Sequence, residues 1–147
     1  MDNVKCVLIH DNFQNFKSYK VVGATEYALV LYRSKLPKFR NTGEDGKTHM
    51  VFNWFDWKRD SKDIPKIHPS QKPVSVLKRL IEIFTDPGDV VIDPCAGSGS
   101  TLRAARELGR NSYGFEVSRD FYRKAQEQML GNGQMPDKEQ TLGEEAV

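Results

Sequence analysis

The sequence predicts an α/β fold built on a mainly parallel sheet with flanking helices, and three features carry that expectation. Val90-Val91-Ile92 is a β-branched run, too short for a helix and apolar throughout, as in a strand buried on both faces of a parallel sheet. A glycine-rich turn, Asp93-Pro-Cys-Ala-Gly-Ser-Gly-Ser-Thr101, leads from it into Leu102, Ala105 and Leu108 at helical spacing, with Gly109 as the C′ residue. Ser112-Tyr-Gly-Phe-Glu116 is the next strand, which completes a strand, crossover helix, strand unit.

The other elements follow along the chain. Val4–Ile9 and Tyr27–Tyr32 are short apolar runs bounded by polar or turn-forming residues, and both read as strands. From Pro37 to Pro69 no period is sustained, and Asn41-Thr-Gly-Glu-Asp-Gly46 is a turn cluster. A long loop is expected there, with one short strand near Val51–Phe55. Pro73 opens a helix that places Val74, Leu77, Ile81 and Phe84 on one face, with Val76, Leu80 and Ile83 beside it, until Asp86-Pro87-Gly88 stops it. Ser118 or Asp120 caps a final helix carrying Phe121, Ala125 and Met129. The Gly-rich acidic stretch 131–147 is expected to be disordered.

At 147 residues the chain has room for one domain, and its 38% apolar and 29% charged residues are those of a soluble globular protein. It contains no apolar window long enough to span a membrane and does not open like a signal peptide, so a cytoplasmic protein without a membrane partner is expected. Cys6 and Cys95 build no disulfide framework, and no metal-site spacing occurs. His10 and His49 lack a nucleophile or carboxylate at readable spacing, which removes support for hydrolysis. The net charge is only +2, yet the segment from Arg33 to Lys72 is strongly basic and interleaved with Phe39, Phe52, Trp54, Phe55 and Trp57. Such a mixture suits a nucleic acid partner; a solvated loop with core aromatics is the plainer alternative.

The turn from Asp93 to Thr101 is the most informative stretch, because it brings backbone close to a ligand at a helix N-terminus. It is not a phosphate loop, since no Lys follows Gly99, and Leu102 occupies the place where a dinucleotide fold wants a small residue. A nucleoside ligand without phosphates remains, for which Glu116 at the second strand's tip can accept from two ribose hydroxyls.

Val91-Ile-Asp-Pro-Cys-Ala-Gly-Ser-Gly-Ser-Thr101, Tyr113-Gly-Phe-Glu116 and His68-Pro-Ser-Gln-Lys-Pro73 resemble motifs I, II and X of a known family. These are the DNA N-methyltransferases that modify adenine N6 or cytosine N4, in the group whose catalytic segment precedes the cofactor segment. Glu26-Tyr-Ala-Leu-Val-Leu-Tyr-Arg33 is similar to the strand before their target-recognition region. The resemblance covers Glu26 to Leu130 and implies part of a Rossmann-like methyltransferase fold over 1–130. Residues 34–67 would then be the recognition loop and 68–130 the cofactor part.

The resemblance also implies S-adenosylmethionine as cofactor, with Asp93 near its amino group, the Gly97–Gly99 turn and Ser100 beneath it and Glu116 on the ribose. Ser70 and Lys72 would lie near the methionine end. Cys95 stands where the family usually has Phe, a smaller side chain that packs less on the ligand. Double-stranded DNA is the implied partner: Arg40, Lys47, Lys58 and Arg59 would meet phosphates, and Trp54 or Trp57 bases.

The family's catalytic segment, of the type Asp/Asn/Ser-Pro-Pro-Tyr/Phe/Trp, does not occur, because none of the seven prolines is adjacent to another. It is expected upstream, in a part of the enzyme that these residues do not contain. No catalytic residue is therefore assigned. A sheet cut in this way exposes an edge and an apolar face. A second chain carrying the catalytic half, self-association, or a rearranged small sheet would each cover them. A non-catalytic DNA- and cofactor-binding module, or a relic of such an enzyme, is the competing reading, and an RNA or small-molecule methyltransferase would share the Asp93 turn.

Overall fold

A computed structural model of the chain describes residues 5–10, 15–16, 21–22, 26–32, 39–56 and 58–131, the first three stretches as backbone. Trp57, residues 33–38 of the basic loop and 132–147 of the acidic tail lie outside the described residues.

The strands form three pairs. β1 (Lys5–His10) runs antiparallel to β4 (Tyr27–Tyr32), with Val7 opposite Val30, and β2 (Asn15–Phe16) pairs antiparallel with β3 (Val21–Val22). The parallel pair is β5 (Val90–Asp93) with β6 (Asn111–Gly114), Ile92 lying opposite Tyr113. The crossover between them is α2 (Ser100–Glu107), preceded in the chain by α1 (Val74–Phe84) and followed by α3 (Arg119–Lys124). A π-helical turn, Ala125–Met129, continues α3. The Rossmann-like expectation is thus met by β5-α2-β6 and its helices, and the two antiparallel pairs are separate sheets.

The core lies between α1 and α2. Val74, Leu77 and Ile81 present the predicted face, with Ile83 and Phe84 also buried, to Ala104 and Ala105 of α2, Ile67 and Met129. Small side chains on α2 let the two helices approach, and Lys78 and Arg103 both reach Glu107, at 3.1 and 2.8 Å. These cations hold the Glu107 carboxyl below its ordinary range, Arg103 contributing most. α2 stops as predicted: Gly109 adopts φ 70°, its N–H donates to Arg106 O, and the Arg110 N–H reaches back to Ala105 O. Ser118 caps α3, its hydroxyl accepting from the Phe121 N–H.

Two expectations fail. Residues 51–55 form no strand; pairing in this loop is instead a bridge between Thr42 and Thr48, across the turn cluster. Nor is β5 covered on both faces. Val91 packs toward α2, but Val90 and Ile92 are exposed, as are Tyr113, Phe115 and Val117 from β6 onward. The apolar run recorded what the strand is suited to bury, and α2 covers only one side of it. Among the described residues no helix is long and apolar enough to cross a membrane.

Candidate functional site

The C-terminal ends of β5 and β6 converge on one glycine-rich turn. After Asp93 the chain bends sharply, and the Asp93 carboxylate fixes the bend by accepting from the Cys95 N–H at 3.0 Å through Oδ1. Ala96 donates its N–H to Phe115 O, which ties the turn to the strand beside it. Gly97 and Gly99 follow at φ 52° and 78°, left-handed conformations that few side chains tolerate. A Cβ at Gly99 would also sit 3.3 Å from Ala125, so glycine is required there twice over. The hydroxyls of Ser98 and Ser100, both buried, bond each other at 2.8 Å beneath the first turn of α2.

Glu116 braces this turn. One carboxylate oxygen accepts from the Gly97 N–H and the other from the Ser118 N–H, each at 2.8 Å. One side chain therefore clamps the glycine turn to the start of α3. Each oxygen of Glu116, and Oδ2 of Asp93, keeps a lone pair for a further donor. Two half-buried carboxylates thus flank the turn at the carboxyl ends of adjacent parallel strands, where such sheets take their ligands. The chemistry suits a cationic ligand that also offers hydroxyl donors.

His68, which opens the segment 68–73, lies against the same turn. A methyl group at Gly97 would come within 3.8 Å of the His68 ring, and His68 meets Phe121 edge-on at 4.4 Å between ring centroids. Gln71 holds the segment in shape, its side chain accepting from Ile67 N–H and donating to Pro65 O, both at 2.9 Å. Ser70 is exposed, its N–H donating to His68 Nδ1. Lys72 reaches Glu26, just before β4, with Nζ 3.0 Å from the carboxylate. Asp60 accepts from the Val74 N–H with both oxygens, at 2.9 and 3.1 Å. Its negative charge thus lies at the start of α1, where Pro73 offers no N–H.

The basic loop is a different surface. Lys47, Trp54, Lys58 and Arg59 are exposed, together with Met50, Phe52 and Phe55. Phe52 and Trp54 lie 6.5 Å apart, tilted. Arg40 also has a role within the chain: its guanidinium pairs with Asp86 and its N–H donates to Ile83 O, so it pins the loop to the end of α1. Phe39 packs edge-on against Phe84 at the same place. His49, expected to have no carboxylate near it, bonds Asp45 at 2.9 Å. This bond, with the Lys47 N–H, holds the exposed Asp45 carboxyl below its ordinary range. No nucleophile accompanies that pair among the described contacts.

Sequence reasoning singled out the glycine turn, Asp93 and Glu116, which the structure brings together, and did not single out the structural roles of Glu26, Asp60 and Gln71. It also missed Gly114, where a Cβ would lie 2.7 Å from Leu102 Cδ1 and 3.0 Å from Ala96 Cβ. That glycine sits inside a quoted motif, and its smallness was the available signal.

A family model described as DNA methylase matches residues 6–127. The chain is 47% identical over 62 residues to YubD, a protein of Escherichia coli named as a methylase, spanning 42% of this chain and 27% of that one. It is 46% identical over 55 residues to the type II methyltransferase M.HindIII of Haemophilus influenzae, spanning 37% of this chain and 18% of that one. The chain thus matches about a quarter or less of these relatives' length. In fold it is similar to the crystal structure of the M1.HpyAVI–SAM complex, with a TM-score of 0.64 at 24% identity. That likeness covers 86% of this chain and 63% of the other. It is also similar to the PvuII cytosine-N4-specific DNA methyltransferase, with a TM-score of 0.57 at 19% identity over 77% of this chain and 43% of that one.

Proposed function

The chain belongs to the N6/N4 DNA methylase family, and from that premise we propose that it is the cofactor-binding part of a DNA N-methyltransferase. The enzyme would move the methyl group of S-adenosylmethionine to adenine N6 or cytosine N4. The observation that carries this reading is the clamp of Asp93 and Glu116 around the Gly97–Gly99 turn at the ends of two parallel strands.

The residues fit such a cofactor. S-adenosylmethionine supplies a methyl group activated on a positively charged sulfonium. Asp93 would take the cofactor's ammonium and Glu116 its ribose hydroxyls, on the lone pairs their backbone bonds leave. Backbone at Gly97 and Gly99, with no side chain in the way, would pass beneath the nucleoside, with Ser100 opening the helix below and Cys95 lining the wall. Lys72 and Ser70 serve the carboxylate end.

In the loop, Lys47, Lys58 and Arg59 contact phosphates and position double-stranded DNA, while Trp54 stacks or wedges against bases. Arg40, paired with Asp86, supports that loop and would meet phosphate from its accessible side. No residue of this chain is given the catalytic role of holding the target amine. A segment of the Pro-Pro-aromatic type outside these residues, in the same or a second polypeptide, would supply it and cover the exposed face of β5 and β6. The competing reading is a non-catalytic module that binds DNA and cofactor.

Calorimetric titration of S-adenosylmethionine into the purified chain tests the proposal, with the oligomeric state measured at the same concentration. Saturable one-site binding is expected. A folded sample that takes up no heat would sink the assignment of a working pocket to this chain.

A further inference from the structure

Lys72 and Glu26 form the least exposed ion pair among those described, their side chains 19% and 14% accessible, with Nζ 3.0 Å from Oε2. The main chain around Lys72 is held firmly, by Gln71 on one side and by the Asp60 carboxylate on the Val74 N–H on the other. Its ammonium, at the end of a flexible four-carbon stem, is the part able to change partner. The cation that the proposed function sets aside for a ligand carboxylate is therefore already neutralised by a carboxylate of the chain itself.

We propose that Glu26 is a resident competitor at Lys72: it occupies the ammonium until a ligand carboxylate displaces it, and so sets the affinity for carboxylate-bearing ligands. This rests on the reading of Lys72 as a cofactor residue. Three physical points lead to it. An ammonium already held by a carboxylate attracts another far less, because the pair is nearly neutral at a distance. A charge-assisted bond in a half-buried site is strong enough to matter, so an incoming carboxylate must replace it to gain much. Glu26 also precedes β4, whereas Lys72 precedes α1, so exchanging partners loosens a tie between the β1–β4 pair and the helical part. Ligand binding then alters how firmly the strand before the basic loop is held.

The test compares two ligands on the whole chain. S-adenosylmethionine carries the carboxylate; methylthioadenosine has the same nucleoside and lacks the amino acid part. In Glu26→Gln, S-adenosylmethionine should bind about tenfold tighter while methylthioadenosine binds as before. The ligand-free protein should melt at a lower temperature, and the rise in melting temperature on adding S-adenosylmethionine should grow. In a Lys72→Gln background the Glu26→Gln change should leave S-adenosylmethionine affinity unmoved, because the competitor acts through the lysine. A merely structural pair predicts otherwise: Glu26→Gln would weaken both ligands or neither, and that result overturns the inference. Should Glu26→Gln not fold, Glu26→Asp, with a shorter reach, must show a smaller gain of the same sign; no gain there overturns the inference too. Failure of the wild-type chain to bind either ligand overturns the cofactor reading itself, whereas wild-type binding without the gain overturns only this inference.

Discussion

The glycine turn 93–99 and the basic loop 39–66 are both irregular backbone, and they are built on opposite plans. In the turn, the N–H groups of Cys95, Ala96, Gly97 and Gly99 all find partners within the chain, two of them on carboxylates. The loop is fastened at its ends, by Phe39 and Arg40 on the last turn of α1 and by Asp60 on its first. Between those ends it turns Met50, Phe52 and Trp54 to solvent. A surface whose donors are used internally is pre-shaped for a small ligand. A tethered strip of exposed rings and cations is suited to a large partner that buries it.

The contrast can be broken from the turn's side first. Gly114→Val forces a branched side chain into Leu102 and Ala96, and overpacking there should lower unfolding stability by about 3 kcal/mol in urea titration. The loop's own partners do not touch that site. A near-neutral result would mean that β6 and α2 are less closely packed than described. Asp93→Ala comes next. Cofactor affinity should fall about 100-fold by calorimetry, with the circular dichroism spectrum kept. Unchanged affinity would remove the turn from the binding site.

The loop's side sharpens the comparison with smaller effects. Replacing Lys58 and Arg59 together by Ala should weaken DNA about tenfold at low salt, equally across sequences, and flatten the salt dependence by about two units of slope. A sequence-selective loss would show that these residues read bases instead. Asp60→Ala removes a negative charge from the first turn of α1 and should cost about 1 kcal/mol of stability. Hydrogen exchange should quicken at Val74 before it quickens in α2; the reverse order would contradict the tether.

The smallest expected effect lies in the helix pair that both regions lean on. Glu107 is half exposed and bridges Lys78 and Arg103, so Glu107→Gln should cost only a few tenths of a kcal/mol at neutral pH. Its folded pKa lies below its unfolded one. The contribution is therefore complete above the unfolded carboxylate range and disappears as pH falls through the folded value. Melting curves of variant and wild type should converge as pH falls through and below the carboxylate range. A gap that persists in acid would assign the effect to packing.

Local periodicity made α1, α2, β5 and β6 legible, because each declares itself within a few residues: Val74, Leu77, Ile81 and Phe84 by helical spacing, Val90–Ile92 by branching. Asp93, Gly97, Gly99 and Glu116 were legible for the same reason, in a short strand-turn-helix-strand stretch. What escaped was pairing at a distance. Asp60 caps a helix fourteen residues later, Glu26 meets Lys72 across the whole basic loop, and Arg40 reaches Asp86 from beyond α1. No local pattern encodes such partners. The exposure of Ile92 escaped for another reason, since composition reports what a strand is fit to bury and not whether a second layer is present.

That uncovered layer has a calorimetric signature. Unfolding raises heat capacity in proportion to the apolar surface that passes into water, at about 12–15 cal/mol/K per residue for ordinary domains. Here Val90, Ile92, Tyr113, Phe115 and a fully exposed Val117 have made that passage before any unfolding begins. The chain alone should therefore melt with a heat-capacity step below that norm and with a shallow denaturant dependence. Any partner that covers the face would return the missing increment, and its size would measure the area covered.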